Sequence, residues 1–353
     1  MSKLLIHSCN QTSMVRIANI LLLLFAISFT PVQPLHAQDF YKGQTIQIVV
    51  GFAAGGGFDS YSRTIARHMG KHIPGNPNLV VVNTTGAGSL IAANQVYHKA
   101  KPDGLTIGNF IGGAALNQIL GLPGIEFDAR KFRWIGVPVS QDGACALTTA
   151  SGITSVATWQ ASKVPVKLGA SAAGNVDYNM AKILKELIAL PVQVISGYKG
   201  TAETRLAAES GEIAGSCWQW QSIKATWKGA LDAGRVVPVL QFGPKANPDI
   251  PNVPLGQSLA KSDEARILLR TAVESPNVIT IAYAAPPGTP DDRVQLLRRG
   301  FIETLKDPAF LEDAKKSNLE INPLRGEETE KIIESFFSLD AKLLDKLRNI
   351  VVK

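Results

Sequence analysis

The chain has 353 residues and a formal charge of +7, with 45% hydrophobic and 18% charged residues. This is an ordinary globular composition with room for two domains. Lysine and arginine are scattered, with no basic block and no interleaved aromatics, which argues against a nucleic-acid partner; a diffuse positive field favours small anions instead.

The N-terminal 37 residues stand apart. Arg16 precedes an apolar run from Ile17 to Phe29, then come prolines and a Leu35-His36-Ala37 end. This is the plan of a secretory signal cleaved after Ala37. The run is short for a membrane span, so a retained N-terminal anchor is the lesser alternative. Cleavage removes Lys3 and Arg16 and no acid, lowering the charge from +7 to +5. Of the three cysteines, Cys9 falls in this leader. Cys145 and Cys217 then reach a compartment where a disulfide persists, but only their distance apart can decide whether they bridge.

Ile46 to Val50 is a short β-branched run that reads as a buried strand, and Tyr61, Ile65 and Met69 mark one face of a helix. Gly55-Gly56-Gly57 join them. Such a turn either supplies a tight connection with φ > 0 or aims helix N–H groups at an anion. The pattern repeats: a strand over Leu79 to Val82, a turn Thr84-Thr85-Gly86-Ala87-Gly88, and a helix from about Ser89, a candidate cap. After Pro102-Asp103-Gly104 the next strand ends near Asn109, Gly112 and Gly113. A third unit has a strand over Val166 to Ala170, a turn Ser171-Ala172-Ala173-Gly174, and a helix with Met180, Ile183, Leu184 and Leu187 on one side. Short strands are expected near Val192 to Ser196, Ile213 to Cys217 and Val236 to Phe242, then a proline-rich crossing, then helices over Asp291 to Lys306 and from Glu327 to the end. Alternation of this length predicts an α/β architecture with mainly parallel sheets. Ligands in such sheets sit beyond the carboxyl ends of the strands, where all three small-residue turns lie.

No catalytic or metal constellation emerges. His68 and His72 share a helix face, but Met69 stands where a zinc-protease helix needs glutamate. The turn Gly169-Ala170-Ser171-Ala172-Ala173 misses the final glycine of a serine-nucleophile elbow. The glycines around position 55 lack the dinucleotide-binding spacing. The expectation is therefore a binding protein, with neither enzyme activity nor cofactor.

The stretches VGFAAGGGFD, VVNTTGAGS and PDGLTIG occur in that order. Together they resemble the strand-turn motifs of the extracytoplasmic receptors of tripartite tricarboxylate transporters, the Bug-type solute-binding proteins. SGYKG from Ser196 to Gly200, SGEIAGS, Asn252-Val253-Pro254 and APPGTP from Ala285 to Pro290 are similar to later motifs of that family, so the likeness spans nearly the whole mature chain. Two departures stand out: Gly51 replaces the usual proline, and Ser89 replaces the second glycine of the second turn. The resemblance implies the two-domain periplasmic binding fold of the second type, with residues 38–138 plus 244–353 in one domain, 139–243 in the other, and the ligand cleft between them. It implies a monomer in the periplasm that captures a small carboxylate (a di- or tricarboxylate or an aromatic acid) and delivers it to the transporter's integral membrane subunits. A module that presents the ligand to a membrane signalling partner would share the same pocket. By the same resemblance the ligand contacts are Phe52, Gly56, Gly57, Phe58, Asp59 and Ser60 in the first turn, Gly86, Ala87, Gly88 and Ser89 in the second, and Asn109 beside them. Across the cleft they are Ser171, Ala172, Ala173, Gly174, Asn175 and Asp177, with Tyr198 and Trp218 as pocket wall. Asp59 has two roles open to it: capping its own helix, or receiving a hydroxyl or amine of the ligand.

Overall fold

A computed structural model describes residues 40–171, 174–198 and 200–352; the expected leader lies outside them, as do Ala172 and Ala173. Two mixed sheets flanked by helices make up the architecture. The first has the strand order β11-β4-β10-β3-β1-β2, from β1 (Thr45–Val50), β2 (Asn78–Asn83), β3 (Thr106–Ile111), β4 (Arg133–Val137), β10 (Ile281–Ala285) and β11 (Leu324–Arg325). The second has the order β7-β6-β8-β5-β9, from β5 (Gly143–Thr148), β6 (Val166–Ala170), β7 (Val192–Ser196), β8 (Gly215–Gln219) and β9 (Val236–Phe242).

The sheets are mixed rather than mainly parallel, and the cause is the double crossing. β1 pairs in parallel with β2 and β3, while β10 runs antiparallel to β3 and β4. In the second sheet β6 pairs in parallel with β7 and β8, while β5 runs antiparallel to β8 and β9. β5 and β10 are the strands that arrive from the opposite sheet. Each starts beside the carboxyl ends of its neighbours, Gly143 opposite Gln219 and Ile281 opposite Ile111. A strand arriving there must run away from the inter-sheet space, against the strands that deliver their turns to it.

The helices that matter for the site are α1 (Gly57–Met69), α2 (Leu90–Lys99), α3 (Ala114–Leu120), α4 (Val176–Ile188) and α5 (Thr201–Glu209). Each starts just beyond a strand. α1 buries Tyr61, Ile65 and Met69 against β1 and β2, and α4 buries Met180, Ile183, Leu184 and Leu187 against the second sheet, in line with their periodicity. Cys145 and Cys217 face each other across the β5–β8 pair and form a disulfide. Of the segment 244–353, β10 and β11 enter the first sheet, whereas α6 (Asp263–Leu269) packs against α4. The C-terminal helix α7 (Ala341–Val351) touches both α3 and α4 and so bridges the two halves.

Candidate functional site

The turn after β1 is built around a carboxylate. Gly55 takes φ +81°, a left-handed conformation suited to glycine. Its N–H donates to Asp59 Oδ2 at 2.8 Å; Arg63 Nε (2.9 Å) and Asn83 Nδ2 (2.9 Å) also donate to that carboxylate. Burial alone would raise the Asp59 carboxyl, but these bonds outweigh it and hold it below the usual range. Asp59 therefore closes its own turn. Its side chain is not among the residues that line the inter-sheet cleft, and neither are Gly56, Gly57 and Ser60. This turn instead presents Phe52 and Phe58, their ring centroids 4.1 Å apart.

The second turn carries Gly86 at φ 127° and then three successive left-handed residues, Ala87 (φ 47°), Gly88 (φ 61°) and Ser89 (φ 77°). Ser89 occupies the N-cap position of α2, but its side chain makes no cap bond; its Oγ accepts from the Ile111 N–H at 3.1 Å and fastens the turn to β3. The departures at 51 and 89 lie against each other. A Cβ on Gly51 would lie 2.4 Å from Ser89 Cβ, so the side chain gained at 89 fills the space vacated at 51. Ala87 and Gly88 line the cleft, while Gly86 and Ser89 do not. Asn109 is fully buried, with Nδ2 donating to the Phe58 carbonyl (3.1 Å) and Ser62 Oγ (2.7 Å). It joins β3 to α1 and does not line the cleft.

Across the cleft, Asp177 near the start of α4 accepts from the Ser171 N–H (2.7 Å), Ser171 Oγ (2.8 Å) and the Tyr178 N–H (2.8 Å). Burial pushes its carboxyl above the ordinary range, and those bonds only partly offset the shift. Ser171, Gly174, Asn175, Asp177 and Trp218 all line the cleft. Tyr198 does not; its hydroxyl is taken by Glu212 Oε1 at 2.8 Å. Sequence reasoning missed Asn179, Thr201, Gln219 and Thr280 on this side. Thr201 opens a helix after a glycine and was legible as a fourth turn. Thr280 reaches the site only because β10 enters from the other sheet, which no local pattern announces. Two polar atoms here, Trp218 Nε1 and Asn179 Oδ1, are buried without a partner among the described residues.

The cleft measures about 570 Å³, within the range of small-molecule sites. Residues from the first turns of α2, α3, α4 and α5 border it. The positive dipole ends of α2, α4 and α5 converge there, which suits an anion. Asp177 is the one titratable side chain among the described lining residues. A bond from Asn117 Nδ2 to the Gly174 carbonyl (3.2 Å) joins the two rims. Elsewhere, His68 bonds Asp313 (3.0 Å) and His72 bonds Asp307 (2.9 Å), and no metal-binding cluster occurs among the described residues. No helix among them is long and apolar enough to cross a membrane.

Two mixed sheets joined by crossings, with a cleft between them, are the architecture of the two-domain periplasmic binding fold. The profile of the tripartite tricarboxylate transporter family receptor matches residues 62–348, and the chain belongs to that family. A TctC solute-binding protein from Polaromonas is similar in structure, with a TM-score of 0.64 and 18% identity over 88% of this chain and 99% of that one. MatC from Rhodopseudomonas palustris with bound malate gives 0.60 and 20%, covering 87% and 99%. An R. palustris protein with adipate gives 0.64 and 19%, covering 87% and 97%. In sequence, the chain is 27% identical over 188 residues to an Agrobacterium vitis UPF0065 protein from the TAR-I ttuE-ttuC' intergenic region, over 52% of this chain. It thus spans about half of that relative's length, 53%.

Proposed function

We propose that the protein is a periplasmic receptor that captures a small carboxylate in the inter-sheet cleft and delivers it to the membrane subunits of a tripartite tricarboxylate transporter. In this reading a leader ending near Ala37 directs export, and the monomer works alone. The lobes 38–138 plus 244–353 and 139–243 close about the crossings near 138 and 243. The observation that carries the proposal is the convergence of several helix starts on one cleft. Neutral N–H donors can hold a carboxylate without burying a charged partner beside it. Relatives of the same fold hold malate and adipate, which supports a carboxylate here. Ala87, Gly88, Ser171, Gly174 and Asn175 are the contacts of this proposal from the turns themselves.

A thermal-shift panel of carboxylates, each with its neutral amide, tests it. Ligand at a hundredfold excess over Kd stabilises the folded state by about 2.7 kcal/mol, which a melt resolves. Shifts with acids and none with their amides are expected; shifts only with sugars or amines would refute the anion site.

A further inference from the structure

The two walls of the cleft differ in chemistry, and the difference bears on the ligand. From the first sheet's side come Phe52, Phe58, Ile111, Leu116, Leu122 and Ile125, all carbon at their side-chain surfaces, with the Asn117 amide at the rim already bonded to Gly174. From the second come Ser171, Asn175, Asp177, Asn179, Thr201 and Gln219. The geometry points to a ligand with a single carboxylate on an apolar body, aromatic or branched aliphatic. This inference rests on the receptor reading above and narrows it.

The reasoning is one of matched surfaces. Water against six carbon side chains is released favourably only by carbon. A polar or charged group placed there would lose its hydration with only the Asn117 amide, already bonded to the Gly174 carbonyl, as a side-chain donor in return. The head of the ligand therefore goes to the opposite wall, where the Thr201 hydroxyl and the α4 and α5 starts offer donors. Its body lies along the Phe52–Phe58 pair. A second carboxylate at the far end of a short diacid would rest on that carbon.

Isothermal titration of the purified protein with 3-phenylpropanoate and 4-methylpentanoate, beside malate, citrate and 3-phenylpropanamide, decides the matter. Expected are Kd values for the two apolar acids at least tenfold below those for malate and citrate, with a negative heat-capacity change that reports buried carbon. Phe58→Ala should weaken 3-phenylpropanoate about tenfold, and Thr201→Val should weaken both apolar acids. If malate or citrate binds more tightly, the apolar-body inference is overturned while the carboxylate receptor stands. If the amide binds as well as its acid, or no acid binds, the receptor reading itself fails.

Discussion

The two sides of the cleft are built from the same unit, a strand, a small-residue turn and a helix start, yet they secure it differently. On the first side the turn after β1 is closed by Asp59, which bonds within its own lobe and does not line the cleft, so the surface this turn leaves to the cleft is the Phe52–Phe58 pair. On the second side the equivalent carboxylate, Asp177, closes its turn through Ser171 and lines the cleft as well. One wall hides its charge and shows carbon; the other shows its polar groups. The same local motif can therefore serve as a hydrophobic surface or as a directional one, and the neighbours of one aspartate decide which.

The comparison breaks most severely if the polar wall loses its support. Cys145 and Cys217 tie β5 to β8, one residue before Trp218. They stand 72 residues apart in the chain, so the bond restricts a long loop in the unfolded state. Replacing both by alanine should lower stability by roughly 2–5 kcal/mol, read by urea unfolding of oxidised wild type against the double variant. An unchanged midpoint would remove the disulfide from any part in holding this wall.

The carbon wall is best probed at Gly51. Gly51→Ala drives a Cβ into Ser89 and should cost about 1–3 kcal/mol as overpacking. Adding Ser89→Gly opens the space and should recover a large part of the loss, giving a coupling of about 0.5–3 kcal/mol in a double-mutant cycle. Strict additivity would mean that the two departures from the family pattern are unrelated.

Much of this was legible beforehand, and the reason is local. β1, β6, β7 and β9 and the buried faces of α1 and α4 are encoded by short apolar periods and by glycine turns, which need no knowledge of distant chain. The mixed sheets were not legible, because β5 and β10 acquire their direction from the crossing and not from their own residues. Asp59 was ambiguous for the same reason. Its partners include Asn83, which lies 24 residues away on a neighbouring strand. Asn109, read as a contact beside the turns, and Tyr198, read as pocket wall, do not line the cleft, since Ser62 and Glu212, each brought in by the tertiary fold, bond their polar atoms. Ser89 was placed correctly in the chain and given the wrong bond, since its acceptor role toward Ile111 depends on β3 lying alongside.

The smallest effect concerns the charge that only the second wall displays. Burial raises the Asp177 carboxyl in the folded protein. Its protonated form is thus favoured by folding: the contribution to stability is present below the unfolded value and fades as pH rises through the folded one. The same proton matters to a bound carboxylate, because an ionised Asp177 repels it and a neutral one does not. As pH falls from neutrality toward the raised Asp177 value, affinity for an acid should therefore strengthen, by less than about tenfold, until the ligand's own carboxylate begins to protonate. The neutral amide should show no such trend. Asp177→Asn should flatten the profile for the acid, even if the lost acceptor toward Ser171 weakens binding at every pH. Titrations at several pH values on wild type and variant supply the test, and a wild-type profile that is flat, or that rises with pH, would show that the carboxylate of the ligand rests beyond the reach of this wall.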